Sequence, residues 1–162
     1  NCEKMKKENT EDLEVRIVKL NSKKVIRFGS YSRNPEKDAL KELKRWAEPK
    51  GYLDERENHL IFGFNNPPPA PDKNKYGYDF IITTNENIDE DDIDIDNLPE
   101  GEFAVARCYG LHKISSVWAM LDRWIENSEY KKREGVCLEE HITLDLPANE
   151  MIFDLYQPIE TD

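Results

Sequence analysis

A chain of 162 residues has the length of a single domain, and 34 Asp and Glu against 23 Lys and Arg give it a net charge of −11. That balance excludes a free-standing nucleic-acid binder, because neutralising phosphates needs clustered Lys and Arg. Mean hydropathy is −0.83, yet 38 residues are Leu, Ile, Val or Phe, which with three Trp and seven Tyr suffices for one modest core but for no membrane-spanning run.

Residues 1–13 (NCEKMKKENTEDL) are polar and charge-mixed and read as a linker or arm. Val15 to Ser32 has β-favouring runs on either side of Asn21 and Ser22, a strand with a kink or bulge ahead of Gly29. Asn34-Pro35 is a helix start, an N-cap residue followed by Pro in the first turn. Ala39, Leu40, Leu43, Trp46 and Ala47 then share one helical face, and Pro49 and Gly51 end the helix. His59 to Asn65 reads as a strand. Pro67, Pro68, Pro69 and Pro71 make a stiff extended connection to a further strand at Tyr76 to Thr84.

Glu86 to Glu102 (ENIDEDDIDIDNLPEGE) holds nine acids and no Lys or Arg, so the rest of the chain sums to −2. The acidity is local, and the segment reads as a solvated crossover. Gly101 to Gly110 alternates as a strand. Ile114, Val117, Trp118, Leu121, Trp124 and Ile125 mark one face of a second helix, and strands at Gly135 to Leu144 and Met151 to Ile159 close the chain.

The order strand, helix, strand, strand thus occurs twice. Leu43, Arg45, Trp46, Glu48 and Tyr52 recur as Leu121, Arg123, Trp124, Glu126 and Tyr130 at a constant offset of 78, and Tyr78-Asp79-Phe80 is echoed by Phe153-Asp154-Leu155 at an offset of 75. The expected fold class is α+β: a duplicated βαββ repeat with pseudo-twofold symmetry, an antiparallel sheet, two main helices and a ligand cleft between the halves. Residues 14–162 form the domain, with repeat one at about 14–85, the acidic crossover at 86–102 and repeat two at about 101–160.

From Val15 to Ile159 the chain resembles the GyrI-like small-molecule-binding domain, the effector-binding module of AraC/Rob-type and multidrug-sensing MerR-type transcription regulators. The motifs that carry the resemblance are the Gly29 turn before a helix ending in Arg45-Trp46, then Phe64-Asn65-Asn66-Pro67, Tyr78-Asp79, Pro99-Glu100-Gly101-Glu102-Phe103 and Tyr109-Gly110. They continue with Trp118 and Trp124, Cys137-Leu138-Glu139, and Asp154-Leu155-Tyr156-Gln157-Pro158. Two positions depart from the family pattern: Asn65 replaces an acid, and His141 replaces a Tyr two residues after the key Glu.

The resemblance implies that Glu139 sits in an aromatic pocket and meets positively charged lipophilic ligands. The repeat gives an independent reason to single it out: at an offset of 78 it stands where the first half has Ile61. A buried carboxylate must be paired, hydrogen-bonded or protonated. Against this stands a plain structural role, with Glu139 solvated or bridged to an arginine such as Arg107. Trp118, Tyr109, Phe64, Tyr78 and Tyr156 are the candidate aromatic walls, since a ring face attracts a cation. Trp46 and Trp124 belong to the core. His141 is on the same face as Glu139, two residues along one strand, so the two also form a candidate acid/base pair.

The primary reading is therefore an effector-binding, multidrug-sensing domain of an AraC-type transcription regulator. Its partner is a small lipophilic cationic molecule, and it reaches DNA only through a separate upstream domain. The first residue, Asn1, fits a C-terminal portion of such a protein. One alternative is a stand-alone GyrI-like hydrolase of electrophilic toxins using Glu139 and His141; the other is a gyrase-inhibitor-like interaction module using the acidic segment. No cofactor and no metal are expected. His59, His112 and His141 lack ligand spacing, and Asp92-Ile-Asp94-Ile-Asp96 lacks the Gly and the final acid of a calcium loop. Cys2, Cys108 and Cys137, odd in number and without CxxC spacing, fit a cytoplasmic setting.

Overall fold

The computed structural model describes residues 13–161; the expected arm at residues 1–13 lies, apart from Leu13, outside them. The fold is α+β, with antiparallel strands and two main helices. The chain divides into two compact units, one formed by the segment up to Leu20 with Glu100 onward, the other by Asn21 to Pro99.

In the second of these, β2 (Lys24–Ser32), α1 (Pro35–Ala47), β3 (Ile61–Asn65) and β4 (Tyr76–Thr83) follow one another, and β5 (Asp94–Asn97) ends the unit. Strand β4 pairs with β3 and β2, and β5 pairs with β2, all antiparallel. Helix α1 lies on β2 and β4, burying Ala39, Leu43 and Ala47 completely as the 3.6-residue period requires. Pro35 opens the helix, with Glu36 and Asp38 in its first turn and Lys44 and Arg45 in its last, each complementing the helix dipole. The expected Asn34 side-chain cap is not used. Instead the Ser32 hydroxyl accepts from the Asn34 backbone N–H at 3.2 Å and donates to Asp38 at 2.6 Å.

The other unit repeats the order with β6 (Gly101–Tyr109), α2 (Ile114–Glu126), β8 (Leu138–His141) and β9 (Ile152–Thr161), plus a short β7 (Tyr130–Lys132) on β9. Strand β9 pairs with β8 and β6, and β1 (Val15–Leu20) pairs with β6. Val117, Leu121 and Ile125 of α2 close over Ala104, Ala106, Cys108, Phe153, Leu155 and Ile159. The repeated helix-end motif pairs the same two aromatics in both units, with different ring geometry. Trp46 meets Tyr52 edge-on at 5.4 Å, and Trp124 stacks on Tyr130 at 6.4 Å.

Two expectations are corrected, and the acidic crossover, solvated as expected, gains a short strand. The segment from Val15 to Ser32 is not one kinked strand but two, and they pair in different units: β1 with β6, β2 with β4 and β5. The acidic crossover is not wholly irregular. Asp92 takes a left-handed turn, φ 64°, a conformation Asp tolerates, and Ile95 then registers against Ile26 while Asp96 reaches Arg27 at 3.3 Å. A period-two Asp/Ile pattern forms an edge strand when the neighbouring strand supplies Arg27 to its aspartate face. The two strands preceding β2 and β6 are thus exchanged: each repeat's leading strand completes the other repeat's unit. Finally, the strand expected at Gly135 to Leu144 is confined to β8.

Candidate functional site

Antiparallel register assigns every strand residue of the β6/β9/β8 group to a face. Glu139 opposes Leu155 and His141 opposes Phe153. Leu155 and Phe153 belong to the cluster under α2, so Glu139 and His141 both stand on the helix-facing side. Glu139 is half-buried there. It occupies the place that Ile61, fully buried beneath α1's side of β3, holds in the other repeat. His141, also half-buried, meets Phe153 edge-on at 5.0 Å. Trp118 of α2 packs partly buried against the same cluster. Glu139 and His141 therefore share a face with the cluster against which Trp118 packs.

The Glu139 charge is felt by the two described thiols. Burial pushes the Cys108 thiol up, and the Glu139 carboxylate pushes it further. Burial, then Asp122, and to a lesser degree Glu139, raise Cys137. Both therefore stay protonated at neutral pH, which makes them poor nucleophiles. Arg107 does not bridge to Glu139. It opposes Asp154 on the other face of the strands and binds that residue.

That other face holds two carboxylates that sequence reasoning passed over. Glu140 is 8% exposed and accepts a 2.7 Å hydrogen bond from the hydroxyl of Tyr156, itself buried and edge-on to Phe103 at 5.8 Å. Burial and then the Glu140 carboxylate push the Tyr156 phenol up, keeping it a donor at neutral pH. Tyr156 thus stands on the opposite face from Glu139, as does Tyr109, which is 59% exposed. Removing the hydroxyl with Tyr156→Phe leaves Glu140 without this donor. The expected loss is about 1–3 kcal/mol of stability, read as a lower urea midpoint at unchanged slope.

Asp154, 1% exposed, is the second buried carboxylate. Arg107 grips it through Nε at 2.8 Å and Nη2 at 3.1 Å, and Arg16 of β1 through Nη2 at 2.6 Å. In the other unit Asp79 has a matching role. Arg27 donates to it through Nε at 2.8 Å and also through Nη2, and Asn66 adds a bond at 3.1 Å. Gly29 lies opposite Asp79, and a Cβ there would overlap the Asp79 carboxylate. The sequence signal for both acids was their recurrence at an offset of 75, each flanked by apolar residues.

The two candidate aromatics of this unit are placed apart. Tyr78 is buried on the α1 side, edge-on to Phe80 at 5.1 Å, with its hydroxyl over Gly63, where any Cβ would collide with it. Phe64 opposes Asp79 on the other face and carries the Arg27 guanidinium 5.3 Å above its ring. Among the described residues, no group of three or more His, Cys, Asp or Glu is arranged to hold a metal ion, and no helix is long and apolar enough to cross a membrane. His59 stacks on Tyr52 at 3.7 Å and bonds the Thr83 carbonyl through Nδ1 at 2.9 Å.

Comparison with known proteins agrees with this architecture. The model of a family described as Cass2, integron-associated effector binding protein, matches residues 16–159. No curated protein matches the chain by sequence. Among solved structures, EcmrR in complex with DNA shares the fold at a TM-score of 0.66 and 14% identity, over 99% of this chain and 62% of EcmrR, so the chain spans less than two thirds of that protein. A hydrolase from Listeria innocua aligns at a TM-score of 0.68 and 11% identity, over 96% of this chain and 98% of the hydrolase. SAV2435 bound to tetraphenylphosphonium aligns at a TM-score of 0.53 and 12% identity, over 91% and 94% of the two chains. At such identities the structural matches establish the shared fold alone. The family match extends over nearly the whole chain, and with it the resemblance drawn from the motifs holds: the protein is a GyrI-like effector-binding domain and belongs to the integron-associated effector-binding protein family.

Proposed function

We propose that this domain binds a small lipophilic cation, with Glu139 as the counter-charge and the rings of Trp118, His141 and Phe153 as the surrounding surface. The observation that carries the reading is the half-buried carboxylate of Glu139 on the helix-facing side of β8, opposite Leu155, where the other repeat has Ile61. A carboxylate in apolar surroundings attracts a cation more strongly than one in water, since the attraction rises as the effective dielectric falls. An aromatic ring adds about 0.5–2 kcal/mol per cation contact. SAV2435, of the same fold, is bound to the lipophilic cation tetraphenylphosphonium.

The regulatory role follows from the resemblance and from the likeness to EcmrR, which is seen in complex with DNA. In an AraC-type regulator, DNA would be met by a separate domain, and the ligand would act by binding one arrangement of the protein more tightly than another. The test of the binding step is a pair of isothermal titrations with tetraphenylphosphonium and with triphenylphosphine oxide, similar in its aryl groups but uncharged. Binding of the cation at least about tenfold tighter, or about 1.4 kcal/mol, is the expected result; equal affinities would remove the counter-charge from the account.

A second reading has one observation in its favour. Glu139 and His141 project from the same face of one strand, their Cα atoms about 7 Å apart, and the Listeria innocua protein of the same fold is a hydrolase. In that case Glu139 would accept a proton from water as it attacks an electrophilic substrate, and His141 would protonate the leaving group. Incubation with strained-ring or epoxide electrophiles, followed by mass spectrometry, decides it: enzymatic turnover that disappears in Glu139→Gln supports hydrolysis, and no turnover excludes it for those substrates.

A further inference from the structure

Among the described residues, β1 pairs only with β6 and β5 only with β2, so each has an edge with no strand beside it. Such an edge offers a row of unused backbone N–H and C=O groups. Which residues supply them follows from the alternation of antiparallel bonding. The Gly110 N–H bonds the Met151 carbonyl at 2.6 Å in the β6/β9 register, so Ala104 and Ala106 bond toward β9, and Phe103 and Val105 toward β1. Val105 and Phe103 oppose Arg16 and Val18, which leaves Val15, Ile17 and Lys19 with outward-pointing backbone groups. At β5 the Leu98 N–H bonds the Lys23 carbonyl at 2.8 Å. By the same alternation Asp94 and Asp96 bond toward β2, and Ile95 and Asn97 point outward.

The side chains match as the backbones do. Ile17 opposes Ala104 of the cluster beneath α2, so it stands on the helix side of β1, 37% exposed. Ile95 opposes Ile26, two residues from the Phe28 that packs on Trp46 of α1 at 5.8 Å. It too is on the helix side, 43% exposed. The charges are opposite: β1 carries Arg16 and Lys19 and no acid, whereas residues 89–97 hold six acids and no base. An antiparallel pair with Ile17 opposite Ile95 of a second copy uses the outward groups of both strands and keeps the two isoleucines on one face. It also sets Arg16 opposite Asp96 at a non-hydrogen-bonded position, where Cα atoms are about 4.5 Å apart and side chains meet most closely. Arg16 and Asp96 remain 54% and 49% exposed, although the first holds Asp154 and the second Arg27.

We propose that β1 of one copy of this chain pairs with β5 of the next, a head-to-tail contact between copies. Charges that blunt either edge by itself become complementary across this pair. The like pairings lack that match. With Ile95 opposite Ile95, β5 against β5 sets Asp94 against Asp96, and with Ile17 opposite Ile17, β1 against β1 sets Arg16 against Val18. A contact between unlike surfaces closes into a ring or grows as a chain. It involves neither Glu139 nor the strand that carries it.

Sedimentation velocity of the full chain, from micromolar to millimolar concentration, tests this contact. The wild-type mass should rise above that of the monomer with concentration and fall back with added salt. Ile17→Lys and Ile95→Lys each place a cation at an exposed edge position, where the fold tolerates it and pairing does not. Each variant by itself should stay at the monomer mass, because every copy has lost the same edge. An equimolar mixture of the two should form a species of twice the monomer mass and nothing larger, since one intact β1 and one intact β5 remain. A monomeric wild type, association that survives in either variant by itself, or a mixture that stays monomeric would each overturn the proposal.

Discussion

Replacing Asp154 by Asn is expected to lower the stability of the fold by about 2–3 kcal/mol at neutral pH. The carboxylate is 1% exposed and holds Arg107 and Arg16 together at 2.6–3.1 Å. The isosteric amide keeps one acceptor but turns an NH₂ group toward a guanidinium, so at least one charge-assisted bond is lost and two donors meet. The loss stays below that of a fully buried pair because both arginines are partly exposed and regain water.

The pH dependence has a definite sign. Burial alone would raise the Asp154 carboxyl, but the hydrogen bonds from Arg107 and Arg16 outweigh it and hold the folded-state value below the ordinary one. A depressed carboxyl contributes stability that is fully present above its unfolded value of about 3.9. That contribution is lost as pH falls through the lower folded value. Urea unfolding of the two proteins should therefore show their full difference at neutral pH and a shrinking one in acid. A difference independent of pH would mean that packing, not charge, accounts for it.

How much of this was legible in the sequence depends on which forces set each feature. Local signals sufficed for α1 and α2, where apolar spacing and Pro35 are intrinsic to the segment. They sufficed too for the duplication, since Leu43 and Leu121 recur at an offset of 78 and are both completely buried. Pairing partners were not legible. Nothing within Val15 to Leu20 tells that β1 joins β6 rather than lying beside β2, because that choice is made by residues more than 80 positions away. The acidic run hid β5, since its acids suggest solvent unless Arg27 of the adjoining strand is known to face them.

At the site, the face of Glu139 and His141 followed from strand alternation alone. The same alternation sends Glu140 to the opposite side, a consequence that needed the register with Tyr156 to become a specific contact. The two buried aspartates were visible as a repeated acid between apolar neighbours, but their arginine partners come from distant strands. Arg107 was available as a partner for either acid; its register opposite Asp154 decided between them.

The central claim is that Glu139 supplies the counter-charge for a lipophilic cation. Glu139→Gln keeps the size and hydrogen-bonding capacity of the side chain while removing its charge, and a position half-buried beside Leu155 tolerates a neutral amide. An ion pair at about 4 Å is worth about 4 kcal/mol at an effective dielectric of 20, and desolvation of both partners offsets part of it. A loss of about tenfold to a hundredfold, or about 1.4–2.7 kcal/mol, remains. The neutral analogue gains nothing from the charge and should bind both proteins alike. The decisive measurement is calorimetric titration of tetraphenylphosphonium and triphenylphosphine oxide into wild type and Glu139→Gln. The account predicts a cation preference in wild type that collapses in the variant through weaker cation binding alone; a preference undiminished by the substitution would contradict it.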